Sequence, residues 1–164
     1  MGKYDELRER YSKGREKFDT NRETCLSIVD GLVKALAAHL ECDGDRITLH
    51  PAETEVTFEN ACPVAEAVRL GRDNAWHFQL GVTFNAADDS TKKEMCVFGL
   101  SVGALRLGYE IFIKGKNQKI PMPKVEQPAK AHAAFCTFIY DFMKLKYQDE
   151  FLLFDADATV RLLP

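Results

Sequence analysis

Four side chains suited to a tetrahedral metal site occur in two close pairs. His39 and Cys42 stand three residues apart, and His132 and Cys136 stand four apart on one helical face. Two imidazoles and two thiolates are a common zinc set. The pairs come from distant segments, and neither makes the tight Cys-x-x-Cys knuckle. Ordinary helix packing is therefore the expected role, and no metal or other cofactor is expected.

A second possible chemistry is nucleophilic. Cys62 precedes Pro63, and His50 or His77 could reach it across a sheet. An imidazole within hydrogen-bond distance would be needed to lower the thiol pKa. No elbow motif surrounds any cysteine or serine, so a loop cysteine and two sheet histidines are the simpler reading.

Carboxylates offer a third. Glu53, Glu55 and Glu59 alternate along an expected strand, Glu110 and Lys114 share a face of another, and Lys116 and Asp88-Asp89 lie in turns. A metal-dependent hydrolase or nuclease would draw on Glu53, Glu55, Glu110, Lys114 and His77. An acid two residues before a lysine on a neighbouring strand is lacking, and charged strand faces are mostly just solvated. Phosphate-cradling loops are absent: Gly99 to Gly103 has no lysine and no following helix. The strand aromatics Phe78, Phe84, Phe98 and Phe112 are placed mostly inward by alternation, which suits a core better than a base-stacking platform.

The elements that must position these residues follow from periodicity. Lys3 to Phe18 reads as a charged helix with a thin stripe, Tyr4, Leu7, Tyr11 and Phe18, and with Gly14 in the seam. Asp19-Thr20-Asn21 is expected to interrupt it, Thr20 and Glu23 forming a capping box for a second helix. That helix repeats Cys25, Ile28, Val29, Leu32, Leu36 and Leu40 at helical spacing and should end at Asp43-Gly44-Asp45.

The period then becomes two. Ile47 and Leu49 define one strand, and Val56 and Phe58 a second, joined as a hairpin around Pro51-Ala52-Glu53. Ala67 to Leu70 is taken as a short strand in preference to a helix opened by Pro63. Trp76 to Phe84, Met95 to Val102 and Leu107 to Lys114 are longer strands. Lys119-Ile120 leads into Pro121-Met122-Pro123, a stiff connector. Pro128 opens the last long helix, whose stripe is His132, Phe135, Phe138, Ile139, Phe142 and Leu145. After Glu150 the tail is apolar and should dock, with Val160 and Leu162 in a final strand.

The expected fold is α+β: an antiparallel meander of five or six strands packed on one face by the N- and C-terminal long helices. Residues 1–164 form a single domain, with 1–19 as a charged helical extension and 150–164 as a docked apolar tail. Composition agrees, at 46% hydrophobic and 29% charged residues over 164 positions.

Net charge is −3, so general affinity for nucleic acid is not expected. No apolar run approaches the roughly 20 residues of a membrane span. Five irregularly spaced cysteines suggest reduced thiols in the cytoplasm. The uncovered sheet face carries His50, Glu55, Thr57, His77, Gln79 and Thr83. With both apolar ends of the chain, it points to a binding or assembly module that is not an enzyme. Such a module would pair with itself, as a homodimer, or with a protein partner, through surface residues such as His50, Glu55, His77, Gln79, Phe151 and Phe154. A small apolar ligand held between the sheet and the last helix is the other binding option, suggested by Phe135, Phe138 and Phe142.

Overall fold

The computed structural model describes residues 2–87 and 89–153, with the side chains of 149–153 excepted. The order of elements is α1 (Lys3–His39), β1 (Ile47–Pro51), α2 (Val64–Ala67), β2 (Arg69–Leu70), β3 (Trp76–Asn85), β4 (Lys93–Ala104), β5 (Tyr109–Ile113), β6 (Gln118–Met122) and α3 (Ala129–Leu153). The strands form one antiparallel sheet in the order β1-β3-β4-β5-β6, with β2 pairing the start of β3 beside β1.

Alternation sorts the strands into two faces. Across the inner face run rows such as Leu49–Leu80–Phe98 and Trp76–Val102–Ile111–Ile120, set by the registers of adjacent strands. Two helices roof these rows. α1 contributes Cys25, Ile28, Val29, Leu32 and Leu36, and α3 contributes Ala131, Phe135, Cys136, Ile139 and Met143. All belong to one hydrophobic cluster, with Phe138 and Phe142 packed at its margin. The two helices run in the same direction. Gly31 meets His132, where a Cβ would lie 3.3 Å from the imidazole Nε2, and eight residues further along each chain His39 meets Tyr140 edge-on.

α1 is one helix of 37 residues with no break at Asp19-Thr20-Asn21. Neither proline nor glycine stands there, and the polar side chains find partners that leave the backbone helical. Arg15 pairs with Asp19 at 3.3 Å, the Thr24 hydroxyl donates to the Thr20 carbonyl, and Asn21 Oδ1 accepts from the Tyr109 hydroxyl at 3.0 Å. The helix ends in a Schellman arrangement, the Cys42 N–H bonding to the Ala37 carbonyl and Glu41 taking φ 52°.

Four other expectations change. Val56 and Phe58 are not in a strand, and residues 52–62 form a loop. Asn60 organises it, its Oδ1 accepting from the Thr57 N–H and its Nδ2 donating to the Glu55 carbonyl at 2.6 Å. A side chain thus uses backbone groups that a ladder would need. Pro63 does open a short helix, α2, and only Arg69–Leu70 remains extended. Residues 118–122 are strand β6 rather than a connector. Pro121 is tolerated because β6 is an edge strand, where no missing N–H is felt. In α3, Leu145 is exposed, and Met143 and Lys146 are buried instead. Phe154 and the expected strand at Val160 and Leu162 lie outside the described residues, as does the side chain of Phe151, though the α3 backbone passes through it.

Candidate interaction surface

α1 lies along the sheet and passes beyond it. At the end where β3 begins and β4 finishes, Phe18 packs against Trp76 with ring centroids 5.7 Å apart, and Asn21 meets Tyr109. N-terminal to that point every residue from Gly2 to Thr20 is exposed. Fifteen residues, Lys3 to Lys17, span about 22 Å at 1.5 Å per residue.

The overhang carries an unburied apolar seam. Tyr4, Leu7 and Tyr11 are 75%, 65% and 68% exposed. Together with Gly14, Phe18 and Asn21 they repeat at three and four residues, and the same count runs on into Cys25, Ile28 and Leu32. One line of positions on the helix, apolar except at Gly14 and Asn21, is therefore core at its C-terminal end and open at its N-terminal end. The seam is narrow, two positions in seven, which is the pattern of a helix that pairs with another helix. On the β4–β5 turn at the same end of the sheet, Leu105 and Leu107 are 49% and 79% exposed. Gly108 closes that turn with φ 85°, where a Cβ would strike the Met122 carbonyl.

Charge is sorted around the seam. At 100° per residue, Lys3, Arg10 and Lys17 border it on one side and Arg8, Arg15 and Arg22 on the other. The opposite face carries Asp5, Glu9, Glu16 and Glu23. Some bordering cations reach back to this face: Arg10 to Glu6 at 3.0 Å and Arg15 to Asp19 at 3.3 Å, all with exposed side chains. Lys13, on the acidic side, pairs with Glu9 at 2.6 Å.

The outer sheet face is partly closed by the 52–62 loop, so the residues expected on a bare polar surface are dispersed. His50 is fully buried. Its Nδ1 lies 2.7 Å from Asn60 Oδ1, which can only accept, so Nδ1 carries the hydrogen and Nε2 accepts from the Thr48 hydroxyl at 2.8 Å. Gln79 is engaged as well, its Nε2 donating to the carbonyls of Pro51 and Thr54, both at 2.8 Å. These two side chains fasten the loop to the sheet. Glu55 and Thr57 are exposed on the loop rather than aligned on a strand.

Comparison with family models, curated proteins and solved structures gives no match. Function must therefore be argued from the chain's own surfaces.

His77 has the most polar surroundings. Its Nε2 donates to Asp73, 2.8 Å from Oδ1, and this hydrogen bond holds the Asp73 carboxyl below its ordinary pKa. The other ring nitrogen, Nδ1, is buried without a partner. Glu53, Arg69 and Arg72 share the open cleft beside it, about 660 Å³ in volume. A general base needs a free nitrogen facing substrate. Here one nitrogen is taken by Asp73 and the other is covered.

The remaining chemical sets are not assembled. Glu53, Glu55 and Glu59 are on the loop, Glu110 is on β5, and the Lys114 side chain lies over Gly99, 3.4 Å from where a Cβ would be. Among the described residues no three His, Cys, Asp or Glu side chains could jointly hold a metal. Burial pushes all five described thiols up, Cys25 to about 12, which is opposite to an activated nucleophile. Cys62 gains no imidazole, since both His50 nitrogens are engaged elsewhere. No helix among the described residues is long and apolar enough to cross a membrane.

The opposite end of the sheet holds an apolar cleft of about 540 Å³, bordered by Leu40, Val82, Phe84, Tyr140, Met143 and Tyr147. Arg46 and Lys144 stand at it, Arg46 donating to Asn85 Oδ1 at 2.9 Å. Sequence reasoning missed this cleft, because β3, α3 and the α1–β1 connection, far apart in sequence, build it together. It also missed the cations bordering the α1 seam, which a helical projection of residues 3–23 displays directly.

Proposed function

We propose that the chain is a binding module, not an enzyme, that docks a partner helix along the overhanging front half of α1. One observation carries this reading: the apolar line buried as Cys25, Ile28 and Leu32 continues in register as exposed Tyr4, Leu7 and Tyr11. A helix end with this pattern is weakly stable alone and gains stability when a second helix covers the seam. Leu105 and Leu107 would extend the contact onto the body of the fold. A reducing cytoplasm suits five free cysteines with raised thiol pKa values.

The test is a three-heptad helical peptide with leucine at both seam positions and glutamine at the bordering ones, titrated into the full chain by calorimetry. Binding that is lost in Leu7→Ser/Tyr11→Ser, with an unchanged melting temperature, is the expected outcome. Equal binding by this variant would contradict the reading.

A second reading draws on the apolar cleft near Tyr140. Its volume falls in the range of small-ligand sites, and Arg46 and Lys144 would suit an apolar molecule with an acidic head. Titration with a fluorescent fatty acid, compared with Lys144→Glu, tests it: no binding, or binding indifferent to the charge reversal, would remove it.

A further inference from the structure

We infer that the helix docked on α1 is acidic along its edges. This rests on the docking reading above and adds the chemical character of the partner. Helices paired along a narrow seam place their bordering residues against each other, so these positions select the partner by charge. On α1 all six bordering positions from Lys3 to Arg22 that carry a charge are cationic, and the acids are turned away.

A second copy of the same helix would bring cations against cations in either direction. An acidic amphipathic helix would bring carboxylates to Arg8, Arg10, Arg15 and Lys17. The ion pairs that Arg10 and Arg15 make along α1 are exposed, and such pairs are weak enough to be exchanged for new ones. Arg106, between Leu105 and Leu107, adds a further cation beside the seam. An anionic lipid surface shares the same attraction, but a helix lying in a membrane presents a broad apolar face. Here the apolar line is narrow and is interrupted at Gly14.

Three peptides test the inference. They share leucine at both seam positions of three heptads and carry glutamate, glutamine or lysine at the bordering positions. Each is titrated into the full chain below its own self-association concentration, with the single Trp76, beside Phe18, as a fluorescence reporter. The glutamate peptide should bind about tenfold or more tighter than the lysine peptide, and the gap should narrow as salt rises. Arg8→Glu/Arg10→Glu/Arg15→Glu/Lys17→Glu should reverse the order, and Leu7→Ser/Tyr11→Ser should lose all three peptides.

Equal binding of all three would overturn the acidic partner and leave the docking reading standing. No binding of any would overturn the docking reading itself. The acidic partner is also overturned if vesicles of three parts phosphatidylcholine to one part phosphatidylglycerol bind in a Leu7- and Tyr11-dependent way without a glutamate preference among the peptides. Sedimentation that shows self-association lost in Leu7→Ser/Tyr11→Ser would overturn it in favour of a second copy.

Discussion

The two halves of α1 share one seam and have opposite fates. From Cys25 to Leu36 the seam is widened by Val29, faces the sheet, and is sealed from water at Cys25, Val29, Leu32 and Leu36. From Tyr4 to Tyr11 it is one residue wide, bordered by cations, and open. Spacing alone does not decide burial. What differs is the width of the apolar arc and the presence of something to cover it: the rows of β3 and β4 in one half, solvent in the other. Phe18 stands between them, 40% exposed and resting on Trp76.

The difference can be broken most forcefully in the buried half. Leu32→Ala should lower unfolding free energy by about 2–5 kcal/mol in urea titration, since it leaves a cavity among fixed neighbours. Leu7→Ala should stay within about 0.5 kcal/mol of the parent. A Leu7→Ala loss as large as that of Leu32→Ala would mean that the front half is covered within the monomer.

Asn60→Ala sharpens the contrast between built and unbuilt polar surfaces. It removes the acceptor of buried His50 Nδ1 and the anchor of the 52–62 loop, at about 1–3 kcal/mol for the unpaired group. Phe18→Ala, at the pivot, should cost about 0.5–1.5 kcal/mol through loss of the ring contact with Trp76, and it should change Trp76 fluorescence.

A smaller effect depends on pH. Burial lowers the pKa of His132, which packs on Gly31 in the covered half of α1. The unfolded chain then binds a proton more readily than the folded one below about pH 6.5. The neutral ring's contribution is complete above that pH and is lost as pH falls toward the lowered folded value. The melting temperature should therefore drop between pH 7 and pH 5, and His132→Gln should flatten that part of the drop. An unaltered profile in the variant would show that His132 is not its source.

Most of the architecture was readable because burial and period coincide. Ile47 and Leu49, Trp76 to Val82 and the Cys25–Leu36 stripe each repeat at the spacing their element requires and are buried as that spacing implies, and Met95 to Val102, apolar almost throughout, lies in β4 at the middle of the sheet. The failures share a cause: side-chain pairings and edge positions that hydrophobic period does not register. Thr20 and Glu23 look like a cap until Asp19 pairs with Arg15 and Asn21 with Tyr109, after which a continuous helix needs none. Val56 and Phe58 alternate as a strand would, but Asn60 takes the backbone groups a ladder requires. Pro121 hides an edge strand.

Site residues were less legible. His50 and Gln79 are polar and on a strand, and nothing local shows that a loop folds over them. The charge border of α1 was present in the sequence throughout and depends on no tertiary contact.

Amide hydrogen exchange along α1 addresses the division of this helix most directly. In the dilute chain, amides of residues 25–36 should exchange only on global unfolding and those of residues 3–17 many times faster, with the latter slowed on addition of the glutamate-bordered peptide. Residues 3–17 as protected as residues 25–36 before any peptide is added would contradict the account.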